Sequence, residues 1–162
     1  MTQEHIILPA EWHPQSGVQL TWPHEHTDWA YMLDEVEDCF INIAREIVRY
    51  EPLLIVTPYP EKVKQLLIDK MDVSRITFFC CLTNDTWARD HGAITVLKNG
   101  EAYIYDFAFN GWGLKFPAHF DNLITSRAHE SSLFNARYEN RLNFILEGGS
   151  IESDGEGTLL TT

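Results

Sequence analysis

Basic residues are scarce in this sequence. Lys and Arg number 12 against 24 Asp and Glu, a formal charge of −12 at neutral pH over 162 residues. Such an acidic surface repels phosphate backbones, which excludes nucleic acid as an expected partner and favours cations. Cysteine is scarce too: Cys39, Cys80 and Cys81 form an odd count with an adjacent pair. That pattern argues against a disulfide framework and for a reducing compartment, with the cytoplasm as the default expectation. No apolar run approaches the ~20 residues of a membrane span. The opening MTQEHIILPAEW lacks the basic start, apolar stretch and cleavage site of a secretory signal. No tract rich in Pro, Gly or Ser marks a linker, and neither a glycine-rich phosphate loop nor a nucleophile elbow is present. What is there is a globular composition, 44% hydrophobic and 22% charged. It fits one domain, residues 1–162, that can bury a core without disulfides or a structural metal.

Hydrophobic periodicity alternates between strand and helix. Residues 17–22 (GVQLTW) read as a strand stopped by Pro23. Leu33, Val36, Phe40, Ile43, Ala44, Ile47 and Val48 form the stripe of an amphipathic helix, with Thr27 or Asp28 as its cap and Pro52 forcing its end near Glu51. Residues 53–57 (LLIVT) suit a strand buried on both faces, and 60–70 a second helix opened by Pro60. Ile76 to Leu82 reads as another buried strand, which makes Cys80 and Cys81 core residues along with Cys39 beside the helix stripe. Ala93–Leu97 and Ala102–Phe107 flank Asn99-Gly100, a strong hairpin signal. The stretch 118–136 is ambiguous, with a helix around Asp121–Arg127. Leu142–Leu146, Ser150–Ser153 and Thr158–Thr161 are expected strands, and an ending within a strand pattern reads as a truncation. The interleaving predicts an α/β fold.

Three polar clusters could carry chemistry. Thr83 to Gly92 (TNDTWARDHG) follows a buried strand and crowds Asp85, Arg89, Asp90 and His91 together. It suits either a binding loop or a polar turn in which Arg89 and Asp90 pair or cap a helix. Phe109 to Gly113 (FNGWG) brackets Trp112 with glycines, which holds the indole beside a ligand or lets it close the core. Leu146 to Ser150 (LEGGS) ends an apolar strand on a carboxylate, either a fixed negative charge for a site or a solvated bulge. His5, His13 and the His24-Glu25-His26 triplet match no finger or helical ligand spacing, so no metal is expected.

In this order, LPAEWHPQSGVQLTWPH, NDTWARDHG, FNGWG and EGGSIESDGEGTLLTT resemble the agmatine deiminase family, which includes the Porphyromonas-type peptidylarginine deiminases. The resemblance runs over nearly the whole chain. It implies the pentein-type α/β propeller built of ββαβ modules, of which this chain is about the N-terminal half. It also implies hydrolysis of a guanidinium group to a ureido group through a cysteine-bound thiouronium, with no cofactor. Guanidinium stays charged to above pH ~12, so carboxylates must hold it. By this resemblance Asp90 grips the guanidinium, Trp87 stacks on it, and Glu147 works beside a catalytic histidine; Trp112 and Asp85 line the same pocket. The implied reaction converts agmatine to N-carbamoylputrescine and ammonia; peptidylarginine or arginine is the alternative substrate, and a non-catalytic cation-binding fragment the alternative role. The family's His-x-Asp segment and late cysteine are expected beyond Thr162, which predicts an inactive chain with exposed sheet edges. A homo-oligomer of the full-length protein is left open.

Overall fold

The structure is a computed structural model, describing residues 5–162. The chain groups into two compact units, one of residues 15–88 and 118–124, the other of residues up to 14, 89–117 and 125–162.

The first unit is built on parallel strands β2 (Val18–Thr21), β3 (Leu53–Thr57) and β4 (Ile76–Cys80), in the order β2-β3-β4. Helix α1 (Leu33–Val48) connects β2 to β3, and α2 (Pro60–Ile68) precedes β4. Both helices bury one stripe against the sheet. Ile41, Ala44, Val48, Val63 and Leu67 meet Trp22, Leu53, Ile55 and Ile76 in one core cluster. Each fully buried aliphatic side chain there contributes about 1.5–3 kcal/mol.

Five expectations are corrected in this unit. The core-facing residue of the middle turn of α1 is Ile41, 3% exposed, whereas Ile43 is 40% exposed, because a 100° step per residue carries position 43 past the buried stripe. Neither Thr27 nor Asp28 caps α1: a 3-10 turn at Ala30–Met32 intervenes, and the Thr27 hydroxyl donates to the His24 carbonyl at 2.8 Å. The helix stops at Val48, before Pro52 can act on it. Strand β4 is an edge strand with Thr77 and Cys80 exposed, not a strand covered on both faces. Cys80 is accordingly exposed, Cys39 is exposed on α1 outside its buried stripe, and Cys81 alone of the three packs in a core, against Val56 and Ile124.

The second unit holds a four-stranded sheet in the order β1-β5-β6-β7, formed by β1 (Ile6–Ile7), β5 (Ile94–Lys98), β6 (Glu101–Ala108) and β7 (Arg137–Ile145). Asn99 and Gly100 turn the β5–β6 hairpin with φ of 51° and 87°, the left-handed pair that a two-residue hairpin needs. Strand β7 runs parallel to β6. With α5 (Ile124–Glu130) between them in sequence, β5-β6-α5-β7 is one ββαβ module. Strand β7 starts five residues earlier than the apolar run from Leu142 suggests, because its first half, RYENR, is mostly polar. A short antiparallel pair, β8 (Ile151–Ser153) and β9 (Leu159–Thr161), ends the chain described. Phe144, Ile145, Leu159 and Leu160 are exposed.

Candidate active site

Two single-turn helices and one loop meet at Trp112. Asp90 lies in the single turn α3 (Ala88–His91), Trp112 in the turn α4 (Gly111–Leu114), and Glu147 just beyond the end of β7. The Trp112 indole N–H donates to Asp90 Oδ2 at 3.2 Å, and its backbone N–H donates to Glu147 Oε1 at 3.0 Å. One residue thus ties together two carboxylates 57 positions apart in sequence. Asp90 Oδ1 also accepts the Gly149 N–H at 3.0 Å. A carboxylate offers about four lone-pair positions, so Asp90 keeps acceptor capacity for a further donor.

Trp112 reaches both partners because its backbone is left-handed. Gly111, Trp112, Gly113 and Leu114 have φ of 63°, 55°, 76° and 65°. For the two non-glycine residues this costs about 1–2 kcal/mol each. Hydrogen bonds close the turn: Leu114 N–H donates to the Asn110 carbonyl at 2.8 Å, and Gly113 N–H to Asn110 Oδ1 at 2.8 Å. Gly111 is required, since a Cβ there would run into the Phe116 carbonyl. Phe109 and Phe116 flank the indole edge-on, with ring centroids at 5.7 and 5.5 Å. Phe109 also packs on His91, whose burial lowers its pKa to about 4 and keeps the ring neutral at neutral pH.

Both glycines of Glu-Gly-Gly are set by close approach. A Cβ on Gly148 would collide with the Arg89 carbonyl, and one on Gly149 with Asp90 Oδ1. Arg89 turns away from Asp90. Its guanidinium donates to the carbonyls of Gly148 and Ile151, each at 3.1 Å, and pairs with Glu11 at 2.7 Å and Glu152 at 3.6 Å. The alternative of an Arg89–Asp90 pair is therefore not realised; Arg89 staples the Glu-Gly-Gly turn to α3 instead. A shallow open cleft of about 280 Å³ is lined by Asn110, Gly113, Ile145, Leu146, Glu147 and Ser150. None of the three cysteines borders it.

Asp85 and Trp87 belong to the first unit. Asp85 is buried and accepts the Trp87 N–H at 2.7 Å through Oδ1, which makes it the turn-former beneath Trp87. Trp87 is 53% exposed and packs at a tilt on Trp29, 6.4 Å between centroids. The Trp29 indole N–H donates to Thr86 Oγ1 at 2.9 Å. His24 is committed as well: Nε2 lies 2.9 Å from Thr83 Oγ1, Nδ1 accepts the His26 N–H at 3.2 Å, and burial lowers its pKa. Among the described residues no group of three or more His, Cys, Asp or Glu could hold a metal ion, and no helix is long and apolar enough to cross a membrane.

Sequence reasoning missed Arg89 as a staple, Asn110 as the cap of the left-handed turn, and Phe109 and Phe116 as the walls around Trp112. The glycines of FNGWG were the available signal for the turn, but four consecutive positive φ values are not a local preference of Trp or Leu.

The chain matches the family model for Porphyromonas-type peptidyl-arginine deiminase over residues 7–162. It is 34% identical to agmatine deiminase from Pseudomonas savastanoi pv. phaseolicola over 96% of its own length and 43% of the relative's. Among solved structures, it superposes with TM-score 0.88 and 55% identity on a protein provisionally named arginine deiminase from Porphyromonas gingivalis, covering 98% of this chain and 47% of that one. It superposes with TM-score 0.87 and 34% identity on C. jejuni agmatine deiminase with substrate bound, covering 99% and 46%. The pentein-type α/β fold expected from sequence is the fold of these structures. The chain spans less than half the length of the curated relatives it matches.

Proposed function

The chain belongs to the Porphyromonas-type peptidyl-arginine deiminase family, and we propose that the protein it forms part of hydrolyses a guanidinium group, with agmatine as substrate. The observation that carries this reading is the joining of Asp90 and Glu147 through Trp112; of the three, only Glu147 lines the open cleft. A guanidinium is planar and presents five N–H donors in a fixed fork. Carboxylates that grip its edges fix the plane and localise its charge, which readies the central carbon for a nucleophile. In the reaction proposed, a cysteine thiolate adds to that carbon and ammonia leaves. Water then cleaves the C–S bond, giving N-carbamoylputrescine, a precursor for polyamine supply, and restoring the thiolate.

Asp90 is assigned to the guanidinium. Each of its two oxygens accepts one N–H, from Gly149 and from the Trp112 indole, so its orientation is set before substrate arrives. Glu147 is assigned a role beside a histidine, where its charge favours imidazolium and so supplies a proton to departing ammonia. Trp87 is assigned to stack on the cation, and Asp85 to shape the turn that carries it. Cys39 and Cys80 are exposed on the first unit and Cys81 is packed in its core, so we assign the nucleophile to none of them. The odd count of cysteines and the adjacent pair Cys80-Cys81 support a reducing compartment such as the cytoplasm.

The 55% identity to the P. gingivalis protein favours a second reading, in which arginine or peptidylarginine is the substrate. Ammonia release by the full-length protein with agmatine, arginine and an arginine peptide separates the two. Agmatine is expected to give the largest kcat/KM, and a preference for the peptide would transfer the assignment to the second reading. The 162-residue chain alone is expected to release no ammonia; turnover by it would refute the exclusion of its three cysteines.

A further inference from the structure

The most deeply buried carboxyl group in the first unit takes no part in the site as described. Asp121, in the 3-10 turn Asp121–Leu123, is 1% exposed. Its Oδ1 accepts two consecutive backbone N–H groups, from Asn84 at 2.8 Å and Asp85 at 3.2 Å. Asn84 returns the contact, its Oδ1 accepting the Phe120 N–H at 2.8 Å. The other oxygen, Oδ2, is buried with no hydrogen-bond partner among the described residues.

Burying a carboxylate with one oxygen unsatisfied opposes folding. Burial accordingly raises the pKa of Asp121 to about 6, partly offset by the two amide hydrogen bonds, while nearby Asp85 raises it further. What the arrangement secures is the middle of the segment 83–87. Thr83 is held by His24 and Thr86 by Trp29; between them, Asn84 and Asp85 hang on Asp121. Asp85 in turn accepts the Trp87 N–H, so the indole is placed at one remove from Asp121.

We infer that Asp121 is a positioning residue for Trp87, holding the loop 83–87 in the conformation that presents the indole to a guanidinium. The guanidinium part of this inference rests on the function proposed above; the loop part does not. Two measurements keep them apart: amide hydrogen exchange at Asn84 and Asp85 in the 162-residue chain, and agmatine affinity of the full-length protein by calorimetry, each for wild type, Asp121→Asn and Asp121→Ala.

In wild type both amides are expected to exchange slowly, as β3 amides do. Asparagine keeps an acceptor in place and is expected to preserve both protection and affinity to within about threefold. Alanine is expected to speed exchange at Asn84 and Asp85 about tenfold or more while β3 stays protected, and to weaken agmatine binding by a similar factor. Unprotected amides in wild type, or an alanine variant with unchanged exchange and affinity, would overturn the inference. Should the alanine variant not fold, the other two proteins decide alone: slow exchange in both supports the role, fast exchange in either refutes it. Wild type that fails to bind agmatine removes the function proposed above, while the exchange arm still reports on the loop.

Discussion

An alanine at position 149 would place its Cβ well inside contact distance of Asp90 Oδ1, and an alanine at 148 would do the same to the Arg89 carbonyl. The two neighbouring substitutions look alike in sequence, yet they press on different things. At 149 the obstacle is the end of a side chain, which can rotate away. Rotation forfeits the Gly149 and Trp112 N–H bonds to Asp90, each a charge-assisted contact of about 1.5–3 kcal/mol when fully desolvated. Asp90 is half-buried, so water replaces part of that, and a stability loss of about 1–2 kcal/mol is expected for Gly149→Ala. The displaced carboxylate no longer faces the guanidinium in a fixed orientation, and agmatine affinity is expected to fall about tenfold or more, equivalent to at least ~1.4 kcal/mol. At 148 the obstacle is backbone that cannot rotate aside, and the shift also strains the Arg89 guanidinium bond to the Gly148 carbonyl at 3.1 Å. Overpacking of this kind costs about 3 kcal/mol. Urea denaturation and agmatine calorimetry on both variants provide the test. Equal stability losses at 148 and 149, or wild-type affinity in Gly149→Ala, would refute the assignment of these glycines to different roles.

Further expectations follow from the same contacts. Asp90→Asn presents an amide where two N–H donors converge, so one of them faces another donor. The full-length protein is expected to lose about 2 kcal/mol of transition-state stabilisation, measured as kcat/KM, and an unchanged value removes Asp90 from the site. Trp112→Phe keeps the backbone N–H to Glu147 but deletes the indole N–H to Asp90, with an expected loss of about 1 kcal/mol in the same assay. The pH dependence of stability carries two opposing contributions. His91 has a folded pKa depressed from 6.5 to about 4, so the unfolded chain binds more protons and stability falls as pH drops from about 6.5 to 4. Asp121 has a folded pKa raised from 3.8 to about 6, so the folded chain binds more protons and stability rises as pH drops from about 6 to 4. Each contributes on the order of 3 kcal/mol and they largely cancel. Asp121→Asn removes the second contribution alone, so denaturation midpoints at pH 7 and pH 4 should diverge more in this variant than in wild type; an unaltered pH profile would contradict the burial of Asp121.

Periodicity and turn chemistry carried most of the fold. Strand β3 lies where the run Leu53–Thr57 places it, and the Asn99-Gly100 hairpin turns where expected. Local signals failed where a longer-range partner decided the outcome. Thr27 has the chemistry of a helix cap but is used by the turn at His24. Cys80 sits in an apolar run, yet β4 is at the edge of its sheet. Within the site, the motifs pointed to Asp90 and Glu147, but nothing local told that Trp112 would join them, because its two partners stand 22 and 35 positions away. Asp121 was hidden for a similar reason: it stands in the ambiguous stretch 118–136, and its partners Asn84 and Asp85 are more than 35 positions away.

The most direct test of the paired carboxylates is a calorimetric titration of agmatine into wild type and into Asp90→Asn. Saturable binding by wild type that weakens about tenfold or more in the variant is the expected result. Equal heats from the two proteins would show that the group joined to Glu147 through Trp112 holds no guanidinium.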